Sequence, residues 1–131
     1  MSADAADMRK FAVRWRIAAA VLIGLTEILA LALGRSPIWL ALLYAVMGFV
    51  SFVFYWHDKR AAQAGEWCVS EARLHGIDLF GGIAGGLLAQ VLLRHKIAKS
   101  AFGTISGVIA LVHLLALWAL LLGVFSLPGG R

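Results

Sequence analysis

Residues 74–93 read LHGIDLFGGIAGGLLAQVLL, and this stretch decides how the chain is folded. It is long enough to cross a hydrocarbon core of about 30 Å, yet it carries His75 and Asp78 among its glycines. Gly81 and Gly82 stand at its centre, where a hairpin that enters a membrane and returns on the same side would turn. Because glycines are also common in membrane helices, a plain spanning helix stays open as the alternative.

Three further hydrophobic segments surround this stretch. Of the 131 residues, 62% are hydrophobic and only 15% are charged, and the mean hydropathy is +0.88. A chain of this length is one domain, and its composition is that of an integral membrane protein. We therefore predict a single transmembrane helical domain over residues 17–127. Its hydrophobic segments are residues 17–34, 38–56, 74–93 and 101–127.

Basic residues indicate the orientation of the chain. Residues 1–16 form a basic N-terminal segment in which Arg9, Lys10, Arg14 and Arg16 precede the first span. Because cytoplasmic loops are rich in Lys and Arg, this segment predicts a cytoplasmic N-terminus. Ten of the twelve Lys and Arg residues lie on that side if the third segment turns back, against eight if it spans. The count favours an all-α protein with three spanning helices and a broken or re-entrant third segment over a plain four-helix transmembrane bundle.

The ends of the first span carry their own signals. Arg35, Ser36 and Pro37 predict a tight turn whose proline opens the second helix. The first span is interpreted as an uncleaved helix rather than a signal sequence, because its apolar run is long and contains Glu27. Residues 1–7 are expected to be disordered.

Most of the charged residues are concentrated in two short blocks. The first covers residues 58–78 (DKRAAQAGEWCVSEARLHGID), and the second is Arg94-His95-Lys96 with Lys99. Polar groups at membrane level are energetically expensive and indicate a functional site by default. If the third segment turns back, both blocks lie at the cytoplasmic interface.

An acid, an imidazole and a second acid occur at helical spacing in the first block. Glu71, His75 and Asp78 are predicted to share one helix face, because successive residues advance by 100°. Such a set can relay a proton, although its spacing is not that of a zinc hydrolase and no metal site is predicted. The structural alternative is an interfacial polar face with Asp78 paired to Arg73 or Lys59.

Four glycines follow Asp78 in two overlapping small-xxx-small patterns. Gly81 and Gly85 form one pattern, and Gly82 and Gly86 form the other. These patterns favour close helix packing. The functional alternative is a glycine-lined turn that binds an anion through backbone N–H groups.

The second block is a dense cationic patch. Arg94, His95, Lys96 and Lys99 either fix topology and touch anionic headgroups, or form a phosphate- or carboxylate-binding site with His95 as acid or base. Two more ionisable residues, Glu27 and His113, are predicted at mid-membrane depth in the first and last spans. A contact between them, and a proton relay through it, is a further hypothesis.

In combination, the motifs resemble a known family. They are Asp58-Lys59-Arg60-Ala61-Ala62, Glu71-x-x-Leu74-His75, Gly81-Gly82-x-x-Gly85 and Arg94-His95-Lys96-x-x-Lys99-x-x-Phe102. Over about residues 38–120 this pattern is similar to small bacterial membrane domains of unknown function (domain-of-unknown-function family 1294). The chain departs from the family at Trp67-Cys68-Val69-Ser70, where an Arg and a Pro usually precede the Glu.

The resemblance implies a bacterial inner-membrane location and a set of residues that act as one unit, without naming an activity. Some members follow an RNA-binding cold-shock domain. This chain has a hydrophobic helix instead, so no nucleic-acid partner is expected. The catalytic candidates are Glu71, His75, Asp78 and His95. The ligand-binding candidates are Asp58, Lys59, Arg60, Gly81, Gly82, Gly85, Arg94, Lys96 and Lys99.

The sequence thus favours a site at the cytoplasmic interface for an anionic or lipid-headgroup ligand, with catalysis left open. The alternatives are a non-enzymatic scaffold or subunit of a larger assembly, and a small oligomeric proton or ion transporter. Anionic membrane lipids are the expected partners, and a homo-oligomer or a membrane protein partner stays open. No particular cofactor is indicated.

Overall fold

The structure is a computed structural model that describes residues 3–67, 69–97 and 99–129. Within those ranges every regular element is a helix and no strand occurs, so the predicted all-α class is confirmed. The elements are α1 (Ala3–Ala32), α2 (Ile38–Ala64), α3 (Glu71–Ile77), a π-helical turn (Asp78–Gly82), α4 (Ile83–Leu92) and α5 (Ser100–Leu121). Cys68, part of the departure from the family pattern, lies outside the described residues.

Among the residues that the structure describes, four helices are long and apolar enough to cross a membrane, when α3, the π turn and α4 are taken together as Glu71–Leu92. This number indicates a multi-pass membrane protein. α1 and α2 extend well beyond the predicted segments. The predicted segments cover only the hydrophobic runs and stop at the charged residues that flank them, whereas a helix can continue through charged residues outside the membrane. The expectation of disorder over residues 1–7 is wrong for Ala3–Asp7, which are helical.

The loops between the helices follow local sequence signals. α2 begins at Ile38 directly after Pro37, as the proline predicts. It ends at Ala64, and the next residue, Gly65, has a φ of 70°, the left-handed conformation common after a helix. The Ser70 side chain caps α3 by accepting a hydrogen bond from the backbone N–H of Arg73.

The third segment bends sharply at Gly81. Its φ of 118° and ψ of −2° are not helical, and a side chain would be strained there. Beyond the bend, Gly86 lies directly against the Asp78 carboxylate, so that a Cβ on Gly86 would overlap it. In a straight helix residues eight apart are separated by about 12 Å. The chain therefore turns back at Gly81, so that α4 packs against the π-helical turn, and we call residues 71–92 the hairpin.

α2 supports both arms of the hairpin. On the α4 side, Gly85 approaches Gly48 so closely that a Cβ would overlap the Gly48 backbone. On the α3 side, Leu74 packs in a buried cluster with Tyr55 and Phe102. A second buried cluster joins α1, α4 and α5 and includes Ile23, Ile83, Leu87, Ile109 and Leu117. This packing leaves both ends of the hairpin beside the C-terminal end of α2.

Candidate functional site at the open end of the hairpin

A strained turn after α4 directs the second charged block towards α2. Arg94 (φ 50°) and Lys96 (φ 62°) both adopt the left-handed conformation, which costs about 1–2 kcal/mol for a non-glycine residue. The contacts that hold the turn include a hydrogen bond from Lys59 Nζ to the Leu93 carbonyl and one from the His95 N–H to the Gln90 carbonyl at 3.0 Å. Strained backbone of this kind occurs preferentially at functional sites.

Asp58 receives both basic side chains that this turn presents. Its carboxylate is 1% exposed, and its Oδ2 lies 2.5 Å from His95 Nε2 and 3.2 Å from Lys96 Nζ. The contact orients the imidazole, with Nε2 directed to the carboxylate, as in sites where a histidine moves a proton. Asp58 Oδ1 is buried and has no hydrogen-bond partner among the described residues.

Glu71 makes the second link between the two charged blocks. Its Oε1 lies 2.5 Å from Lys99 Nζ and 3.7 Å from Lys96 Nζ. The hydrogen bond and charge of the Glu71 carboxylate raise the pKa of Lys99. Lys96 thus bridges two acids from different helices. We call Asp58, Glu71, His95, Lys96 and Lys99 the charged cluster.

His75 lies beside this cluster without a polar partner. Its two ring nitrogens are buried and form no hydrogen bond within the described part of the chain. The imidazole packs on Phe102, with ring centroids 4.2 Å apart, and Lys96 Nζ lies 5.1 Å from the same Phe102 ring. No hydrogen bond therefore joins the three side chains for which a shared helix face was predicted, Glu71, His75 and Asp78.

Asp78 belongs to a separate, deeper group. It is not paired with Arg73 or Lys59, which corrects the structural alternative drawn from the sequence. Ser51 Oγ donates to its Oδ1 at 2.5 Å, and Tyr55 Oη donates to its Oδ2 at 2.8 Å. All three residues are fully buried.

This group extends to α1 through residues that the sequence reasoning did not select. Gln90 Nε2 donates to Tyr55 Oη and to Ser106 Oγ, both at 3.2 Å, and Gln90 Oε1 accepts from Arg16 Nε at 2.7 Å. We call Arg16, Gln90, Tyr55, Asp78 and Ser51 the buried network. The available sequence signal was their polarity within apolar runs, and Ser51 and Tyr55 are also one helical turn apart.

Arg16 is the most unusual member of the buried network. It is 1% exposed, and besides Gln90 it donates from Nη1 to the Ala12 carbonyl at 2.8 Å. Its guanidinium also lies 4.6 Å from the centre of the Trp15 ring. No carboxylate pairs with it, and its Nη2 has no hydrogen-bond acceptor, among the residues that the structure describes.

Some predicted site residues lie outside both groups. The Arg60 guanidinium stacks 4.9 Å from the centre of the Trp56 ring and is exposed. Arg94 is exposed and forms no ion pair in the described ranges. Gly81 and Gly82 line the buried bend of the hairpin, where they face Met47 of α2 rather than a solvent-filled turn.

The hypothesis of a Glu27–His113 contact is wrong. Glu27 Oε1 instead accepts from Ser36 Oγ at 2.5 Å, next to the turn between α1 and α2. His113 Nδ1 contacts Tyr44 Oη at 2.6 Å, and its Nε2 lies 2.9 Å from the Leu79 carbonyl. Because only an N–H can bind that carbonyl, Nε2 carries the proton and Nδ1 accepts from the tyrosine when the ring is neutral.

A groove of about 1980 Å³ connects the charged cluster to Arg16. One wall is the N-terminal part of α1, and the other is formed by the second charged block and the start of α5. Exposed Met8 and Phe11 contribute apolar surface, whereas Arg16, Arg94, Lys96 and Lys99 contribute positive charge. No set of three metal-ligating side chains is found among the described residues.

These features describe a multi-pass helical membrane protein with a polar site at the open end of an internal hairpin. Residues 48–102, a segment of the chain, match the model of a family described as "Protein of unknown function (DUF1294)". The resemblance drawn from the motifs is thus confirmed, over a shorter range than residues 38–120. The matched segment includes the whole charged cluster but not Arg16. No curated protein and no solved structure gives a significant match to the chain.

Proposed function

We propose that this protein binds the phosphate headgroup of an anionic lipid in the groove. The observation that carries the proposal is Arg16, a buried guanidinium that lines the groove and contacts no carboxylate in the described residues. A buried charge is stabilised by an opposite charge beside it. The planar guanidinium offers parallel N–H donors that match phosphate oxygens, and its Nη2 has no acceptor of its own within those residues.

The two walls of the groove favour a lipid over a soluble phosphate ester. The exposed side chains of Met8 and Phe11 offer an apolar surface to an acyl chain. Arg9 and Arg94, which form no ion pairs in the described ranges, offer charge at the rim. An anionic amphiphile satisfies both surfaces at once, whereas a small hydrophilic anion uses only the second.

We also propose that the hairpin is re-entrant, so that it enters the membrane and returns on the same side. This course places the groove at a membrane surface. Each arm, from Glu71 to the bend and from Ile83 to Leu92, is about ten residues and therefore roughly 15 Å long. One arm alone cannot cross a hydrocarbon core of about 30 Å. The contacts of Glu71 with Lys99 and of Lys59 with Leu93 support this course, because they bring both ends of the hairpin to one side.

The charge distribution supports a cytoplasmic location for this side. Arg9 and Arg16 of the N-terminal segment line the same groove as Lys96 and Lys99. With a re-entrant hairpin, ten of the twelve Lys and Arg residues lie on the groove side of the membrane. Under the positive-inside rule that side is the cytoplasm.

Lipid retention tests the proposal. The protein is reconstituted in nanodiscs with equal amounts of phosphatidylglycerol and phosphatidylcholine, and the lipids that stay bound after release are identified by native mass spectrometry. Wild type is expected to retain phosphatidylglycerol. Replacing two rim cations in the Arg9→Gln, Arg94→Asn variant is expected to weaken retention by roughly thirtyfold, at about 1 kcal/mol for each cation near an anionic headgroup. Arg16→Gln is expected to abolish the preference.

Arg60→Ala is the matched control, because Arg60 lies at the same end of the molecule but not in the groove. It should retain phosphatidylglycerol as wild type does. Competition by inorganic phosphate without any effect of acyl chains would indicate a soluble ester as the ligand. Equal retention of both lipids by wild type would contradict the proposal and favour a scaffold role, in which the charges only fix topology.

A further inference from the structure

In the buried network, the hydrogen bonds between Arg16 and Asp78 are each donated by the residue nearer Arg16 to the residue nearer Asp78. Arg16 donates to Gln90, Gln90 donates to Tyr55, and Tyr55 donates to Asp78, which also accepts from Ser51. A guanidinium can only donate, and an ionised carboxylate can only accept. The order of donors and acceptors is therefore the one that a positive charge at Arg16 and a negative charge at Asp78 impose on the neutral groups between them.

The two charged ends balance each other without touching. Arg16 is 1% exposed and Asp78 is 0% exposed, so neither charge is stabilised by bulk water. Within the described residues, no Lys or Arg side chain contacts the Asp78 carboxyl and no carboxylate contacts Arg16. The charges of Arg16 and Asp78 stabilise each other across two intervening side chains, Gln90 and Tyr55, which are hydrogen-bonded in series.

Few other ionisable groups lie near Asp78. On α2 the contacting group is Tyr55, and Asp58 follows it by about one turn. On α3 His75 precedes Asp78 by about one turn, with its ring against Phe102. On α5 the nearest is His113, which binds the carbonyl of the adjacent Leu79.

The remaining neighbours add little charge. On α4, Gly86 lies against the carboxyl, and Arg16 of α1 is linked to it through Gln90 and Tyr55. Arg16 is consequently the main positive charge linked to Asp78 by hydrogen bonds, and any anion that neutralises Arg16 acts on Asp78.

We infer that anion binding in the groove is coupled to protonation of Asp78, so that the headgroup and a proton bind together. The inference rests on the proposed function. With Asp78 ionised, the network of the free protein holds one positive and one negative charge. A bound phosphate adds a negative charge in a low-dielectric site, and a proton taken from water by Asp78 restores neutrality. Because such coupling is reciprocal, acidification strengthens headgroup binding to the same extent.

Calorimetry measures the coupling directly. The protein in detergent is titrated with dihexanoyl phosphatidylglycerol in two buffers of different ionisation enthalpy, and the difference in heat gives the number of protons taken up. Wild type is expected to take up protons on binding. Its affinity is expected to fall with rising pH by up to about tenfold for each pH unit.

Two variants separate the coupling from binding itself. Asp78→Asn carries a permanently neutral side chain of the same shape and is expected to bind without proton uptake, with an affinity that does not change between about pH 5 and 9. Tyr55→Phe keeps the carboxyl but breaks the link to Gln90, and it is expected to bind with reduced uptake.

The outcomes distinguish the two proposals. Wild-type binding without proton uptake, or full uptake in Asp78→Asn, overturns the coupling and leaves the headgroup site in place. Absence of binding in wild type overturns both. If Asp78→Asn does not fold, Tyr55→Phe still tests the coupling. Proton uptake equal to that of wild type in Tyr55→Phe contradicts a role for the buried network.

Discussion

The charged cluster and the buried network are neighbouring polar groups in which the charges are stabilised in opposite ways. In the cluster, cations contact acids directly, and its outer edge is in water: the Glu71 side chain is 43% exposed and Lys99 is 62% exposed, whereas Asp58 is 1% exposed. In the network, the cation and the acid are both buried and are separated by neutral side chains. A polar contact in water contributes little, whereas a buried one is expensive to break. The two groups should therefore respond very differently to substitution.

The largest effect is expected where the network meets the hairpin. In Gly86→Leu a side chain would occupy the position of the Asp78 carboxyl, so that the two arms could not lie together. Overpacking of this kind costs about 1–3 kcal/mol for small additions and more for a leucine against a carboxylate. We expect loss of the folded state, measured by thermal unfolding in detergent with circular dichroism. Gly24→Leu is the control because nothing lies within 4 Å of a Cβ at Gly24; equal stability of the two variants would contradict the hairpin packing.

An intermediate effect is expected at the centre of the network. Gln90→Leu leaves Arg16 Nε and Ser106 Oγ without their Gln90 partner, and each buried unsatisfied group costs about 1–3 kcal/mol. The free energy of unfolding should fall by several kcal/mol in total, less than for Gly86→Leu. The exposed Gln63→Leu serves as the control. A Gln90→Leu protein as stable as that control would show that the network does not stabilise the fold.

The smallest effect is expected at the exposed edge of the cluster. Lys99→Ala removes the pair with Glu71, and the unfolding midpoint at neutral pH should not change beyond experimental error. Since Glu71 raises the pKa of Lys99, the contribution of Lys99 to the pair is fully present below its unfolded pKa of about 10.4 and is lost as the pH rises through the higher folded pKa. Lys99 in turn lowers the pKa of Glu71, and protonation of Glu71 breaks the pair at acid pH. Lys10→Ala is the comparison. A clear loss of stability in Lys99→Ala at pH 7 would mean that the cluster edge is less hydrated than its exposure indicates.

The sequence predicted the components of the site better than their arrangement. Asp58, Glu71, His95, Lys96 and Lys99 were selected by charge and spacing, and the structure brings these five together. Arg16 was interpreted only as a topology signal, since a basic residue before a span usually is one. Its burial depends on Gln90, a residue 74 positions away, and no local pattern contains that information.

Hydropathy and residue type alone determined that this is an all-α, multi-pass membrane protein, because chain length per span and the cost of unsatisfied backbone groups in lipid leave few other folds. The glycines at positions 81 and 82 also located the bend. Only the tertiary structure decided that Asp78 separates from Glu71 and His75 and joins Tyr55 and Ser51 instead. The physical reason is that helical spacing fixes which residues share a face, whereas the partner of a buried polar group depends on which helix packs there, and that choice is made by non-local contacts such as Gly48 against Gly85.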